Sequence, residues 1–331
     1  GSTFECECGK SHEVPVKEII YADDALSMLV TILDKEISGR FAVILSDQRT
    51  YEILGSNVKS ILPDARWSVT SRLLPDDENG SPKCDDITLG ELHTEIKTPD
   101  IFVAVGSGVI NDLTKWLSFE KNTPYVAVAT AGTMNGYTSA NVAPSIDGVK
   151  QIVRAHTPLA VFAIPAIIEQ APYNLIASGL GDAVAKSVSG ADWKMNHFLS
   201  DEYYCSFCAE IVSNIEPIYF DQPEKIASRD PQSIRAIFDA LNYSGLAMTM
   251  IGTSAPASGG EHLFSHTLDM MSSVDGVPHD LHGRQVGLGT ILSAAIYERI
   301  KTIDSPRFVN LPDSIDRSFW GRLATPVSAQ Y

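Results

Sequence analysis

Three histidines in the second half of the sequence give its strongest chemical signal. Glu261-His262-Leu-Phe-Ser-His266 places two imidazoles four residues apart, which puts them on one face of a helix. His282-Gly283 follows a short distance along the chain, and the whole chain has only 8 histidines in 331 residues. The clustering predicts either metal-ligating imidazoles or buried, hydrogen-bonded ones.

A single acidic residue, Asp182, lies early in an otherwise apolar helical pattern, Gly179-Leu-Gly-Asp-Ala-Val-Ala-Lys186. Such a residue is most often a partner for the positive end of the helix dipole. One carboxylate and two imidazoles around an open coordination position are also typical of catalytic zinc or iron. A metal bound in this way polarises a carbonyl group or lowers the pKa of an alcohol.

A loop of small residues, Val105-Gly106-Ser107-Gly108-Val109-Ile110-Asn111-Asp112, lies between an apolar strand pattern and a helical pattern. Small residues let a pyrophosphate approach the backbone, and the helix N-terminus supplies N–H groups and positive dipole. The spacing is not G-x-G-x-x-G, so a tight turn between strand and helix stays an alternative to a nucleotide site.

Asp47 ends an earlier strand pattern. Its carboxylate is suited to accept a hydrogen bond from a ribose 2′-hydroxyl and would repel a 2′-phosphate, so it favours NAD over NADP. A turn or helix-cap role is the alternative.

The cysteine count of 5 is odd, which indicates reduced thiols in a cytosol rather than a disulfide framework. Cys6-x-Cys8 with His12 could hold zinc. The spacing is unusual for zinc and no second pair follows nearby, so we favour free thiols in a short β segment. Cys205-x-x-Cys208 is interpreted as free core cysteines.

The elements that must position these residues form two groups. Strand patterns at 41–46, 67–74, 101–105 and 125–128 alternate with helical patterns at 24–37, 51–58, 89–96 and 109–119. Residues 149–154 and 159–163 resemble a later strand pair. After Pro165 only helical patterns follow, at 175–197, 202–215, 231–250, 260–271 and 280–300. We predict an α/β dinucleotide-binding domain with a parallel sheet over residues 1–165, an all-helical metal- and substrate-binding domain over 166–331, and a ligand cleft between them.

Composition excludes several classes of function. The chain is 44% apolar and 20% charged, which is typical of a globular protein, and its net charge is −16. That acidity argues against partners such as nucleic acid or an anionic membrane surface. The longest strongly apolar run, 159–168, is too short to span a bilayer. We find no signal peptide and expect a cytoplasmic protein.

Five motifs occur together: Gly106-Ser-Gly-x-x-x-Asp112, Thr130-Ala-Gly-Thr-Met-Asn-Gly-Tyr-Thr-Ser139, Gly179-x-Gly-Asp182-x-x-x-Lys186, Glu261-His-Leu-Phe-Ser-His266 and His282-Gly-x-Gln-Val-Gly-x-Gly-Thr290. In this combination the chain resembles the superfamily of iron-type alcohol dehydrogenases, glycerol dehydrogenase and 3-dehydroquinate synthase. It is most similar to the bacterial branch of the sn-glycerol-1-phosphate dehydrogenases. The resemblance runs from about residue 4 to 300, and the opening Cys6-Glu-Cys-Gly-x-x-His12 is similar to that branch as well.

The resemblance implies a site and a reaction. Asp182, His262 and His282 would bind one divalent metal, zinc or nickel. His266 and Asp182 would be catalytic and would contact the substrate together with Asn135, with His266 helping to relay a proton. The cofactor would be NAD, with NADP as a possibility. Its binding site would be lined by Asp47, Gly106, Ser107, Gly108, Asp112, Thr130, Thr133 and Ser139.

The implied reaction is reversible reduction of dihydroxyacetone phosphate to sn-glycerol 1-phosphate, in phospholipid metabolism. Hydride would pass to the ketone carbon while the metal stabilises the developing alkoxide. We expect a phosphorylated ketose or polyol as small-molecule partner and a homo-oligomer, a dimer or larger. Arg154, Lys186 and Arg284 are basic candidates for the phosphate, with surface ion pairs as the alternative for each.

The sequence departs from the family at three places. The family glycine triplet is Gly-Ser-Gly here, and Asn135 stands where the family has a substrate-contacting Asp. The tail after Ile300 is short and rich in proline, which predicts a truncated or abbreviated helical domain. Asp182 argues against the synthase branch, where Glu is expected. The alternatives left open are another polyol or polyol phosphate as substrate, a cofactor-binding accessory protein without catalysis, and a synthase-like lyase.

Overall fold

A computed structural model describes residues 1–77, 80–276, 279–307 and 312–330. Its strands are β1 (Ser2–Glu5), β2 (Ser11–Val14), β3 (Glu18–Tyr21), β4 (Phe41–Asp47), β5 (Ser68–Leu74), β6 (Ile101–Gly106), β7 (Tyr125–Ala129), β8 (Asn141–Val142), β9 (Ser145–Ile146), β10 (Val149–Lys150), β11 (Val153–Arg154) and β12 (Ala160–Ala163). Its helices are α1 (Ala25–Glu36), α2 (Gln48–Thr50), α3 (Ser56–Asp64), α4 (Asp86–Glu95), α5 (Gly108–Glu120), α6 (Pro165–Glu169), α7 (Tyr173–Val184), α8 (Lys186–Ser200), α9 (Ser206–Ser213), α10 (Glu216–Phe220), α11 (Pro223–Ala227), α12 (Pro231–Ile251), α13 (Gly260–Asp275), α14 (His282–Ile300), α15 (Arg317–Trp320) and α16 (Ala324–Gln330).

A six-stranded parallel sheet, in the order β3-β12-β7-β6-β4-β5, organises the first half of the chain. Every residue of β6, β7 and β12 is buried, because helices cover both faces of the sheet. On one face, β-strand side chains pack against α1 and α3. On the other face they pack against α4, α5 and helices of the second half, including α12. The predicted α/β fold followed by a helical region is therefore confirmed.

Helix α14 packs against both α7 and α13 in the helical region. Two glycines permit the contact between α7 and α14. A Cβ atom on Gly181 would lie 2.1 Å from the carbonyl oxygen of Gly283, and one on Gly283 would lie 1.9 Å from that of Ser178. Only residues without a side chain allow the two helices to come this close, and the contact brings Asp182 towards His282.

The last strand of the sheet ends at Ala163 and α6 begins at Pro165, beside the predicted domain boundary. The N-terminal hairpin of β1 and β2 packs against α12, so the first residues contact the helical region. The division into residues 1–165 and 166–331 stays a prediction. Among the described residues, no helix combines the length and apolarity that a bilayer crossing requires.

Some predicted elements are wrong in detail. Residues 149–154 and 159–163 do not pair with each other. Instead β12 joins the main sheet between β3 and β7, while β10 and β11 pair with β9 and β8 in small antiparallel sheets. The fully buried β12 needs strands on both sides, whereas the partly exposed β10 and β11 do not. The predicted helix 175–197 is divided at Ala185, and the helix predicted from residue 202 begins only at Ser206.

Candidate active site

The sheet contains a switch in strand order beside β4. The chain passes from β4 outward to β5 and then returns to β6 on the other side of β4. Ligands of open parallel sheets bind outside the carboxyl ends of the strands at such a point. Asp47 and Gly106 end β4 and β6, so the switch point brings together two of the predicted cofactor-binding positions.

The predicted phosphate loop lies where β6 meets α5. A Cβ atom on Gly106 would lie 2.6 Å from the Cβ of Ile110, so glycine is required there by packing. A Cβ atom on Gly108 would meet nothing within 4 Å, so open space lies in front of the first turn of the helix. Ser107, the N-cap residue, makes no side-chain capping bond. The uncapped N-terminus and the open space suit an anionic ligand.

Asp47 forms a capping box at the start of α2. Its Oδ1 accepts a hydrogen bond from the Thr50 N–H at 2.7 Å, and its Oδ2 accepts one from Arg49 Nη2 at 3.0 Å. Arg49 also forms a two-bond pair with Asp76. The structure thus places Asp47 in the cap role that the sequence left open as an alternative, and the ribose role stays a prediction.

The segment 130–137 joins the phosphate loop to the helical region. The Thr130 N–H donates to the carbonyl oxygen of Gly106 at 3.3 Å, and the Tyr137 hydroxyl lies 2.9 Å from the same oxygen. At the other end of the segment, the Asn135 N–H donates to Asp182 Oδ2 at 3.0 Å. The sequence singled out this motif, but it could not show that the motif connects the two halves of the site.

Lys115 holds this segment in place and was missed by the sequence analysis. Its fully buried ammonium donates to the carbonyl oxygens of Gly136 at 2.5 Å and Asn141 at 2.9 Å, and it lies 3.7 Å from Asp112 Oδ1. Burial lowers the pKa of Lys115. The detectable signal was a lysine inside the apolar pattern of α5.

The remaining predicted cofactor residues lie along the same segment and helix. Thr130 and Thr133 are buried at the carboxyl end of β7. Ser139 is buried as well, and its hydroxyl donates to the carbonyl oxygen of Asn141 at 3.2 Å. Asp112 is partly buried on α5 and accepts a hydrogen bond from Asn111 at 3.3 Å.

Asp182, His262 and His282 come together from α7, α13 and α14. Each offers a ligand atom, and these atoms all lie within 4.8 Å of one another. His262 Nε2 lies 3.4 Å from Asp182 Oδ1, and the ring centroids of His262 and His282 are 5.2 Å apart. A buried carboxylate and two imidazoles form a donor set that fits zinc or a similar divalent metal.

Polar partners orient both imidazoles. His262 Nδ1 lies 2.7 Å from Glu261 Oε1, so this carboxylate accepts the ring N–H and leaves Nε2 free to bind a metal. His282 Nδ1 lies 3.2 Å from the Ser265 hydroxyl, which in turn donates to Gln285 Oε1 at 2.9 Å. Metal-ligating histidines commonly have such partners on their second nitrogen. The sequence motifs contain Glu261, Ser265 and Gln285, but nothing in the sequence assigned them these roles.

Lys186 forms a buried ion pair with Asp182. Its ammonium donates to Asp182 Oδ1 at 2.7 Å and to the carbonyl oxygen of Ala257 at 2.9 Å. Burial alone raises the pKa of Asp182, but Lys186 and His262 outweigh it and hold that pKa well below its usual range. Lys186 was a candidate for the substrate phosphate, and the structure places it in an ion pair instead.

His266 lies one turn after His262 on α13, with its ring stacked on His282 at a centroid distance of 6.1 Å. Burial lowers the pKa of His266 to about 3 and that of His282 well below its ordinary value, with His262 adding to both shifts. These shifts favour the neutral form of both rings, which is the form in which an imidazole binds a metal.

Lys150 is a cation near this site that the sequence analysis did not single out. It lies on β10, which packs against α13, with its ammonium 3.9 Å from Asp269 Oδ2. Its positive charge contributes to the lowered pKa values of His266 and His282, so it lies within electrostatic reach of both rings. Of the earlier basic candidates, Arg284 pairs with Asp280 at 3.1 Å and Arg154 is exposed.

Several known proteins are similar to this chain in sequence or in fold. Residues 20–172 match the family of iron-containing alcohol dehydrogenases. A glycerol-1-phosphate dehydrogenase (NAD(P)+) of Geobacillus stearothermophilus is 33% identical over 96% of this chain and 79% of its own. One of Pyrococcus furiosus is 31% identical over 85% of this chain and 78% of its own. The crystal structure of glycerol dehydrogenase from Schizosaccharomyces pombe superposes with a TM-score of 0.71 at 18% identity, covering 86% of this chain and 71% of that one.

The fold and these relatives define an oxidoreductase that uses NAD(P) and a divalent metal. Within the iron-containing alcohol dehydrogenases, the chain belongs to the glycerol-1-phosphate dehydrogenase family. The family resemblance predicted from the five motifs is confirmed.

Proposed function

We propose that this protein catalyses the reversible, NAD(P)-linked reduction of dihydroxyacetone phosphate to sn-glycerol 1-phosphate. The observation that carries the proposal is the convergence of Asp182, His262 and His282 at one end of the segment 130–137, whose other end bonds the phosphate loop. The proposal is supported because the segment 130–137 contacts both the candidate metal ligands and the predicted phosphate loop. Relatives covering most of the chain are glycerol-1-phosphate dehydrogenases.

Each residue of the donor set has a proposed role. Asp182, His262 and His282 hold the metal, which we propose is zinc or nickel and which, when bound, supplies a Lewis acid for the substrate oxygen. The Asn135 N–H and Lys186 fix the orientation of the Asp182 carboxylate. His266, a neutral imidazole, accepts or donates a hydrogen bond at a substrate hydroxyl and passes its proton on.

The substrate phosphate requires positive charge in an acidic protein. We propose that Lys150 supplies it. Among the residues that the structure describes, its ammonium has one carboxylate partner, Asp269 at 3.9 Å, and it lies near the histidines. Lys186 donates hydrogen bonds to Asp182 and to the carbonyl oxygen of Ala257, so we propose that it stabilises the carboxylate and does not bind the phosphate.

We propose that Asp47 favours NADH over NADPH by repelling a 2′-phosphate, with Arg49 moderating that preference because it partly neutralises the carboxylate. Replacing Asp47 by Ser is expected to shift the ratio of kcat/KM for the two cofactors towards NADPH by about tenfold, or ~1.4 kcal/mol. Steady-state kinetics with both cofactors measure the ratio. An unchanged ratio means that Asp47 serves only as the helix cap.

Two further expectations stay predictions. A homo-oligomer is supported by exposed apolar side chains along α14, among them Leu288, Ile291 and Ile296. The second expectation is that the protein is located in the cytoplasm.

The test of the proposed function is a spectrophotometric assay of NADH oxidation on ketoses with and without a phosphate group. We expect turnover of dihydroxyacetone phosphate at a kcat/KM well above that of dihydroxyacetone. Lys150→Met should lower kcat/KM for the phosphorylated ketose and leave that for dihydroxyacetone nearly unchanged. Equal use of both ketoses would favour a dehydrogenase of an unphosphorylated polyol. NADH and metal binding without turnover of any ketose would favour an accessory protein.

A further inference from the structure

A second cluster of candidate metal-ligating side chains shares no residue with the active site. Cys6 and Cys8 are in the turn between β1 and β2, His12 is in β2, and Cys205 immediately precedes α9. One ligand atom from each lies within 4.8 Å of all the others. The spacing of the first three residues alone gave weak support for a metal, and only folding brings in Cys205 as a fourth ligand.

The distances within the cluster match a tetrahedral zinc site. The Cys6 and Cys205 sulfurs are 3.8 Å apart, and His12 Nε2 lies 3.4 Å from the sulfurs of both Cys8 and Cys205. Zinc–sulfur bonds of about 2.3 Å in an ideal tetrahedron place two sulfurs about 3.8 Å apart and a sulfur and a nitrogen roughly 3.6 Å apart. The four side chains are therefore spaced as ligands of one ion.

His12 is held in the tautomer that a ligand requires. Its ring is buried, and its Nδ1 lies 3.2 Å from the carbonyl oxygen of Met250 on α12. A carbonyl oxygen can only accept, so Nδ1 carries the proton and the lone pair of Nε2 points to the sulfurs. This is the outer partner that metal-binding histidines usually have.

Hydrogen-bond donors surround the sulfur atoms. The backbone N–H groups of Cys8 and Lys10 donate to the sulfurs of Cys6 and Cys8, and the Tyr203 hydroxyl lies 2.9 Å from Cys8 Sγ. Gly9 adopts a φ of +84° and donates its N–H to the carbonyl oxygen of Cys6, which closes the turn and directs these N–H groups towards the sulfurs. Donors of this kind stabilise thiolates, the form in which cysteine binds a metal.

We propose that Cys6, Cys8, His12 and Cys205 bind a structural zinc ion. Four protein ligands close the coordination shell, so the site has no open position for a substrate and its role is to hold structure. The ion would attach the β1–β2 hairpin to the start of α9 and, through His12, to α12. The free-thiol interpretation drawn from the sequence rested on residues 6–12 alone.

Cobalt(II) distinguishes this site from the active site. Cobalt bound to thiolates absorbs strongly in the near ultraviolet through charge transfer from sulfur, whereas the donor set of Asp182, His262 and His282 contains no sulfur. Metal-depleted protein should bind about two equivalents of Co²⁺ and develop the thiolate band. His262→Ala should lose one equivalent and keep the band.

Cys8→Ser should lose the thiolate band and one equivalent of Co²⁺. The matched control is Cys84→Ser, which removes a thiol from a separate apolar cluster beside Trp116 and should keep both. If Cys8→Ser does not fold, the spectra of the unmodified protein and of His262→Ala still show whether cobalt binds to the cysteine cluster. The proposal is overturned if the unmodified protein binds cobalt without a thiolate band, or if mass spectrometry of protein purified under reducing conditions finds a Cys6–Cys205 disulfide.

Discussion

The carboxylate of Glu261 illustrates how much of this site depends on residues beside the metal-binding set. Its Oε1 accepts hydrogen bonds from His262 Nδ1 at 2.7 Å and from the Gly259 N–H at 3.0 Å, and it is completely buried. The negative charge makes His262 a stronger donor to a metal and fixes its ring.

Glu261→Gln is expected to weaken metal binding by about 10–100-fold, because a neutral amide orients the imidazole less firmly and lowers its basicity. Competition with a chelator of known affinity measures the dissociation constant. The matched control is Glu298→Gln, at an exposed position of α14, which should leave the constant unchanged. Equal constants in the two variants would show that Glu261 is only a packing residue.

Asn135 stands where the family resemblance leads us to expect an Asp, and its backbone contacts Asp182 directly. The Asn135 amide offers one acceptor oxygen to a substrate hydroxyl. A carboxylate at this position would form a charge-assisted hydrogen bond, which is roughly twice as strong as the neutral bond to an amide. Asn135→Asp should raise kcat/KM for dihydroxyacetone phosphate about tenfold, equivalent to ~1.4 kcal/mol of transition-state stabilisation. The Kd for NADH serves as the control and should not change. A lower kcat/KM would show that the carboxylate repels the anionic substrate.

For individual residues, the sequence indicated which candidate ligands come together but did not indicate the residues that orient them. Asp182, His262 and His282 belong to recognisable motifs, and the structure brings their ligand atoms together. Lys115 and Lys150 were missed because their importance comes from burial and from contacts with segments distant in sequence.

Among the elements, the contact between α7 and α14 decides whether Asp182 and His282 can meet. Gly181→Ala places a methyl group 2.1 Å from the Gly283 carbonyl oxygen. This oxygen belongs to the backbone, so it cannot move away as easily as the end of a flexible side chain could. We expect a loss of about 1–3 kcal/mol in the free energy of unfolding. Metal affinity should fall as well, because separating the helices moves two ligands apart.

The control is Gly190→Ala on α8, where a new Cβ atom meets nothing within 4 Å. That variant should be about 0.5–1 kcal/mol more stable, since alanine restricts the unfolded chain and favours the helix. Urea unfolding with and without metal measures both variants. Similar stabilities for Gly181→Ala and Gly190→Ala would contradict the proposed role of the close helix contact.

The strands that the sequence predicted best are the buried ones. β4, β6 and β7 are continuous apolar runs, as strands covered on both faces must be. β1 and β2 were predicted only as one short β segment around Cys6 and Cys8, and β3 was missed, because these strands are short and partly exposed, so their patterns resemble loops. The partners of β12 could not be predicted, because parallel neighbours are set by crossover connections rather than by adjacency in sequence.

For the whole molecule, the net charge of −16 and a phosphorylated substrate make opposing electrostatic demands. We propose that Lys150, near the histidines, meets this demand, since Lys186 is paired with Asp182. The composition correctly indicated a globular protein, but it could not locate these cations. Nor could the sequence show that the segment 130–137 links the cofactor loop to the metal-binding set, since that depends on how the two regions pack.

The central claim is that Asp182, His262 and His282 bind the metal that this dehydrogenase requires to reduce dihydroxyacetone phosphate. The most direct test measures NADH oxidation by metal-depleted protein during titration with Zn²⁺ or Ni²⁺, for the unmodified chain and for His262→Ala. We expect activity to rise in proportion to metal bound and to saturate near about one active-site equivalent in the unmodified chain, with none restored in the variant. Full activity in metal-depleted protein, or restoration of His262→Ala to the unmodified level, would contradict the account.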